Sequence, residues 1–94
     1  MKVGDIRWSP DKDAEIRANP LRGNIGLAEC ATAIEEGRIL ADIANPTRSN
    51  QRLYVLEING YAYVVPYVYD NNAIFLKTMF PSRKHNARYL GAGQ

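Results

Sequence analysis

The C-terminal quarter of the chain carries side chains that could act together on a phosphate group. Six of them are cationic or able to move a proton: Lys77, Arg83, Lys84, His85, Arg88 and Tyr89. Cations stabilise negative charge at phosphorus, and histidine exchanges its proton near neutral pH. RNA cleavage without a metal needs these groups, since the ribose 2′-hydroxyl is the nucleophile and two protons must move. The residue types indicate either phosphodiester chemistry or plain binding of a polyanion, and leave both readings open.

The charge of the chain is unevenly distributed. Residues 1–72 contain eight basic residues and all ten acidic ones, whereas residues 73–94 contain four basic residues and no acid. The net charges are therefore −2 and +4, within a total of +2. Such a basic segment attracts RNA or an acidic protein, although many charge runs are only solvated.

Length and composition limit the class of protein. The chain has 94 residues, enough for one domain (1–94) with one core. The single cysteine, Cys30, excludes an internal disulfide and a cysteine zinc cluster, so with one histidine we expect neither metal nor cofactor. No apolar run is long enough for a membrane span, and no apolar stretch follows Lys2 as in a signal peptide. We therefore expect a cytoplasmic protein.

Hydrophobic periodicity and turn residues predict an α+β fold in β-α-α-β-β-β-α order, with two N-terminal helices on one face of a small antiparallel sheet. Residues 38–50 are predicted to be a connection, and Cys30 to lie on an apolar helix stripe. The predicted elements are a strand at 5–8, helices at 10–19 and 26–36, strands at 51–58, 61–69 and 73–80, and a helix from 81–82 to 90.

Turn chemistry predicts which residues share a sheet face. Asn59-Gly60 is typical of a two-residue hairpin, and residues 70–72 are predicted to form a three-residue loop. An aliphatic face then receives the two helices, while the opposite face carries five tyrosines and Lys77. Tyr63, Tyr67 and Lys77 are the candidate RNA contacts, because aromatic faces stack bases. The alternative is that the terminal helix or a partner protein covers this tyrosine face. Pro66 predicts a bulge or break in its strand.

Both ends of the chain resemble a known family. The segment Ile6-Arg7-Trp8-Ser9-Pro10-Asp11-Lys12 is similar to the W-(D/S)-P-x-K start of BrnT-like toxins of type II toxin–antitoxin systems. Ile25-Gly26-Leu27-Ala28-Glu29 falls where that family has a (V/I)-S-F-E-E helix start. Pro81-Ser82-Arg83-Lys84, followed by Arg88-Tyr89, resembles its S-A-R-K-A-T…R…Y terminus. The middle of the chain matches less well.

The resemblance implies a RelE-like fold and an endoribonuclease that arrests growth until a cognate antitoxin neutralises it. Arg83, Lys84 and Arg88 fall on the family's terminal basic positions and Tyr89 on its terminal aromatic one, whereas His85 has no equivalent there. The implied partners are the antitoxin and an RNA substrate, in a homodimer or a toxin–antitoxin hetero-oligomer. The alternative function is a non-catalytic module that docks RNA or protein through the tyrosine face and the basic C-terminus.

Overall fold

The computed structural model describes residues 5–91, apart from the side chain of Asp70. Residues 1–4 and the last residues of the predicted basic segment, 92–94, lie outside the description. Three α-helices and six strands form one α+β unit. In chain order the elements are β1 (Asp5–Trp8), α1 (Pro10–Arg17), a 3₁₀ turn (Pro20–Arg22), α2 (Leu27–Glu35), β2 (Ile39–Ala44), β3 (Arg52–Ile58), β4 (Tyr61–Asp70), β5 (Ala73–Leu76), β6 (Phe80–Pro81) and α3 (Arg83–Leu90).

Local signals in the sequence place most of these elements. The Ser9 hydroxyl accepts the Lys12 N–H at 3.3 Å and begins α1 as its N-cap. α2 is followed by Gly37 at φ +77°, a left-handed conformation that suits glycine. Asn59 and Gly60, both at positive φ, form the predicted tight turn between β3 and β4. These predictions are confirmed.

The sheet is mixed rather than antiparallel, which corrects the predicted architecture. The strand order is β1-β5-β4-β3-β2, with β6 paired to β4. β1 runs parallel to β5, so the first strand joins the sheet beside a late one. Ile39–Ala44, predicted to be part of a connection, is the edge strand β2 and pairs with β3. The observed order is therefore β-α-α-β-β-β-β-β-α.

The register between β4 and β5 differs from the prediction by one residue. Tyr67 lies opposite Leu76, and Asp70 opposite Ala73, so the turn contains only Asn71 and Asn72. Both asparagines have positive φ, of 52° and 62°, as a two-residue hairpin turn of type I′ requires. A one-residue change in register turns every side chain of β5, residues 73–76, to the other face. The prediction that the helices pack on an aliphatic face opposite the tyrosines is therefore wrong.

The two N-terminal helices pack on the face that carries the tyrosines. The register shift brings Ile74 and Leu76 to this face, which makes it the larger apolar surface. Cys30 of α2 is fully buried there, as predicted, and burial raises the pKa of its thiol to about 12. The opposite face holds a smaller buried cluster of Leu53, Val55, Ala62 and Val64, against which α3 packs through Tyr89 and Leu90.

Pro66 lies within a continuous strand, and the irregularity predicted for its strand occurs in the neighbouring one. β4 is unbroken from Tyr61 to Asp70, but its partner leaves the sheet at residues 77–79, between β5 and β6. The carbonyl of Pro66 accepts the Lys77 N–H at 2.9 Å. The backbone nitrogen of Pro66, which carries no hydrogen, therefore faces the same neighbouring segment. Proline therefore costs little here, because the absent donor lies opposite the break.

Helices α1 and α2 are joined through one carboxylate. Asp13 of α1 accepts the backbone N–H groups of Leu27 and Ala28 and thereby caps α2. Arg17 binds Glu29 of α2 at 2.9 Å, and its hydrogen bond lowers the pKa of Glu29 to about 2. The contribution of this carboxylate to stability is complete above about pH 4.5 and is lost as the pH falls toward 2.

Candidate nucleic-acid interface

Helix α3 is fixed to the sheet by two hydrogen bonds to a single residue of β4. β6 ends at Pro81, and beyond it the Ser82 N–H donates to the Ala62 carbonyl at 3.1 Å. The Ala62 N–H in turn donates to Oδ1 of Asn86 at 3.0 Å. Asn86 is the one buried polar residue among positions 5–91, and its amide takes the place that a strand neighbour would occupy. The helix is therefore docked by its own first turn.

The docking leaves the cationic side of α3 in water. Tyr89 and Leu90 pack on the smaller apolar cluster, while Arg83, Lys84 and Arg88 are exposed. Lys84 and Arg88 are four positions apart and so share a helix face. The guanidinium of Arg88 lies 5.7 Å from the centre of the Tyr89 ring. The three cations predicted to act on a phosphate therefore lie together on one exposed helix.

His85 is held in a defined position between these cations. Its Nδ1 lies 2.7 Å from Oγ of Ser82, and its ring stacks on Tyr89 with centroids 6.3 Å apart and planes at 6°. The pKa of His85 is lowered below 6.5. Partial burial is the largest cause, and the charges of Lys84 and Arg88 add to it. The imidazole is therefore mostly neutral at pH 7. When Nδ1–H donates to Ser82, the lone pair lies on Nε2.

Most of the cations that lack an acidic partner lie near α3. Among the described side chains, ion pairs engage Arg7, Lys12, Arg17, Arg38 and Arg52. Arg22 forms no ion pair and donates instead to Thr78 and to the Met79 carbonyl. The six cations that form no ion pair with a described side chain are Arg22, Arg48, Lys77, Arg83, Lys84 and Arg88. Four of these six belong to the basic segment predicted from the sequence.

The predicted RNA contacts Tyr63 and Tyr67 lie in the core instead. Their exposed fractions are 7% and 3%, because α1 and α2 cover the tyrosine face. Tyr67 stacks on Tyr54 with centroids 4.3 Å apart and donates to Asp42 at 2.7 Å. Burial raises the pKa of Tyr67 most, and this hydrogen bond raises it further. Neither ring is available to a base, so this part of the predicted site is wrong. The predicted alternative was cover by the terminal helix or by a partner protein, whereas the two N-terminal helices provide the cover and the terminal helix packs on the other face.

Two exposed phenylalanines lie on the opposite face, where the predicted register had placed Phe80 but not Phe75. Phe75 and Phe80 are 37% and 40% exposed, and Nζ of Lys77 lies 5.3 Å from the centre of the Phe75 ring. The Asn71-Asn72 pair is the sequence signal that could have predicted the sheet face of Phe75, since two consecutive asparagines favour a two-residue turn. An aromatic side chain beside a cation does occur on the sheet, but on the face shared with α3.

The described part of the chain offers neither a cluster of metal ligands nor a membrane helix. No three His, Cys, Asp or Glu side chains between residues 5 and 91 come together as metal ligands would. Across the same residues no helix is long and apolar enough to cross a bilayer.

Comparison of the chain with models of protein families, with curated proteins and with solved structures finds no significant match.

Proposed function

We propose that the protein is a metal-independent endoribonuclease of the toxin type, with its active site on α3. One observation carries this proposal. His85, whose pKa is lowered, follows Lys84 and lies three positions before Arg88 on the helix, and neither cation has an acidic partner among the described side chains. A neutral imidazole flanked by free cations suits proton abstraction beside a phosphate.

The chemistry would follow from the positions of these groups. Nε2 of His85 would take the proton of the ribose 2′-hydroxyl, whose oxygen then bonds to phosphorus. The bond from phosphorus to the 5′-oxygen breaks, giving a 2′,3′-cyclic phosphate and a 5′-hydroxyl. Arg83, Lys84 and Arg88 would stabilise the additional negative charge. Tyr89, stacked on His85, is the candidate proton donor to the leaving oxygen.

The test is incubation of the purified protein with bulk RNA in EDTA. We expect cleavage that falls by at least 100-fold in Lys84→Ala/Arg88→Ala, since removal of one charge-stabilising donor typically costs that much. Arg7→Ala is the matched control, because Arg7 is an exposed cation paired with Asp5 on the edge strand β1. Intact RNA, or cleavage unchanged in the double variant, would contradict the proposal.

A cognate antitoxin is the partner that this function requires. It would neutralise the enzyme by covering α3, and an acidic segment would fit the exposed cations best. Expression of the chain alone should arrest growth, and Arg83→Ala should restore it. Arrest without RNA cleavage would identify a toxin that binds but does not cut.

The second candidate is a non-catalytic binding module. The exposed Phe75 and Phe80 beside Lys77 favour it, since they provide a contact surface that needs no chemistry. It predicts overexpression without toxicity, together with RNA or protein binding that His85→Gln leaves unchanged.

A further inference from the structure

A groove with a cationic lining lies beside the candidate active site. It is formed by the start of α1, the loop of residues 45–51 and the segment 77–80, and its volume is about 680 Å³. Lys12, Arg48 and Lys77 line it, and no acidic residue does. Arg48 and Lys77 have no ion pair within residues 5–91, and Lys12 has only a solvent-exposed pair with Glu15. Such a pair contributes little, so all three cations can bind an anion.

The groove also contains an exposed aromatic ring. Phe80 is 40% exposed and lines the groove together with the apolar side chains of Leu53 and Pro66. Cations alternating with an open aromatic face are how proteins bind single-stranded nucleic acid, because phosphates meet the charges and bases stack on the ring. An acidic protein segment would use the cations but would gain little from the ring.

Both walls of the groove are held by hydrogen bonds within the protein. Arg22 donates to the Met79 carbonyl at 2.6 Å and to Thr78 at 3.3 Å, which fixes the segment that leaves the sheet. On the other side the Thr47 N–H donates to Oδ1 of Asn45 at 3.0 Å, and the Gln51 N–H to the Arg48 carbonyl at 3.1 Å. The groove is therefore formed before a ligand arrives, which lowers the entropic cost of binding.

The groove lies close to α3 along the chain. Phe80 and Arg83 are three residues apart, so their Cα atoms are separated by at most about 10 Å. The helix of eight residues is itself about 12 Å long. A strand that stacks a base on Phe80 would therefore reach His85 within a few nucleotides.

We propose that this groove is a binding subsite for single-stranded RNA, in which Lys12, Arg48 and Lys77 contact phosphates and Phe80 stacks one base. The proposal rests on the RNA-directed function proposed for α3. It adds the path along which the strand approaches the helix, and it assigns the stacking position to Phe80.

The test measures binding of a labelled 2′-O-methyl oligouridylate of about 12 nucleotides, a length within the range of known single-strand sites. The methyl groups remove the nucleophile, so cleavage cannot disturb the measurement. Arg48→Ala/Lys77→Ala should weaken binding and should reduce the salt dependence of log K by about 1.4, at 0.7 per phosphate contact. Phe80→Leu should weaken binding by about 5- to 150-fold, the range for loss of one stacked base.

Arg7→Ala serves as the control for charge, because Arg7 is exposed and lies outside the groove. Binding and salt dependence that change equally in Arg7→Ala and in the groove variants would overturn the subsite. The subsite would also be overturned if an oligoglutamate peptide of equal charge bound as tightly as the oligouridylate and its affinity did not change in Phe80→Leu.

Failure of the subsite and failure of the proposed function give different results. If the oligouridylate responds to Lys84→Ala/Arg88→Ala but not to the groove variants, the subsite is wrong and the function of α3 remains. If natural RNA stays intact while the groove variants still weaken oligouridylate binding, the subsite is supported and cleavage is wrong. Thermal unfolding of each variant identifies any loss that comes from misfolding.

Discussion

His85 is the residue whose surroundings bear most directly on the proposed chemistry. Ser82 holds one ring nitrogen and Tyr89 covers one ring face, so the imidazole is oriented before substrate binds. Partial burial and the two neighbouring cations both disfavour the protonated ring. These effects keep a base available at neutral pH, at the cost of a lower intrinsic basicity.

We predict that RNA cleavage depends on the neutral form of His85. Activity should fall as the pH drops through the pKa of this residue, and the midpoint of that acid limb should lie below 6.5, because the pKa is lowered. His85→Gln should reduce the rate by about 10²- to 10⁴-fold, the usual contribution of a general base. A pH–rate profile for both proteins checks this. An acid limb that persists in a still-active His85→Gln protein would exclude His85 as the base.

A single residue also decided how well the sheet could be predicted. Counting Asp70 into the turn gave a three-residue loop, whereas the chain turns on Asn71 and Asn72 alone. The β3–β4 pairing across Asn59-Gly60 was predicted correctly because glycine marks that turn clearly. The misplaced turn exchanged the faces of β5. This exchange placed Phe75 among the tyrosines instead of on the face shared with α3, and it left Tyr63 and Tyr67 as candidate RNA contacts on a face that the N-terminal helices cover.

At the scale of elements, α3 owes its position to Asn86. The last paired residue of β6 is a proline, so the next peptide groups of β4 need partners from elsewhere. Ser82 and Asn86 supply them and bind the helix to the strand. The arrangement of Arg83, Lys84 and Arg88 on one exposed helix was predictable from helical spacing. The docking was not, because it depends on where a neighbouring strand ends.

We predict that Asn86→Ala loosens α3 and lowers stability by about 1–3 kcal/mol, since the buried Ala62 N–H loses its acceptor. Urea unfolding measures the loss, and hydrogen exchange at Ala62 should accelerate. Lys84→Ala on the same helix is the control, and should leave stability within about 0.5 kcal/mol because Lys84 is exposed. Equal stability of the two variants would show that the amide does not hold the helix.

The start of α2 depends on a residue of α1. Asp13 caps Leu27 and Ala28, whereas Asp11, in the same first turn of α1, has no hydrogen bond to α2. Asp13→Ala should therefore cost about 1–2 kcal/mol more than Asp11→Ala, the typical value of an N-cap. Both substitutions remove one acid near the α1 N-terminus, and Asp13→Ala also removes a partly exposed ion pair with Arg17, so their difference reports the cap together with that pair. Denaturant unfolding of the two proteins measures it, and equal losses would contradict the capping role.

Other features of the elements were beyond sequence periodicity. β2 was missed and predicted to be part of a connection. It is a half-buried edge strand with an irregular register between Ile39 and Ala41. Neither strict alternation nor a continuous apolar run marks such a strand. The parallel pairing of β1 was missed for another reason, since local pattern identifies a strand but not its partner.

At the scale of the whole molecule, the fold separates paired from unpaired charge. The acids on α1 and α2 engage Lys12 and Arg17, and Asp42 engages Arg52. Four of the six cations that form no ion pair with a described side chain lie between β5 and the end of α3. The charge asymmetry along the sequence therefore also exists in the folded protein, and it would steer a polyanion toward the side that carries α3.

The sheet order also predicts a sequence of folding events. β3 and β4 are joined by a two-residue turn, whereas β1 pairs with β5 across 68 residues, from Asp5 to Ala73. We expect Ile6→Ala to raise the unfolding rate by about 5-fold or more with little change in the folding rate, because β1 pairs late. Ile58→Val in the hairpin should instead slow folding. Stopped-flow measurements decide, and slower folding of Ile6→Ala would contradict this order.

The parallel pairing of β1 has a consequence during synthesis on the ribosome. Residues 5–8 are synthesised well before their partner, residues 73–76, which lies 68 positions further along the chain. Until then Ile6 and Trp8, which pack on the larger apolar cluster, have no strand to join. The first strand therefore stays unpaired until residues 73–76 have been made. Production of the basic segment and completion of the sheet coincide, so a chain that stops before residue 73 would lack both.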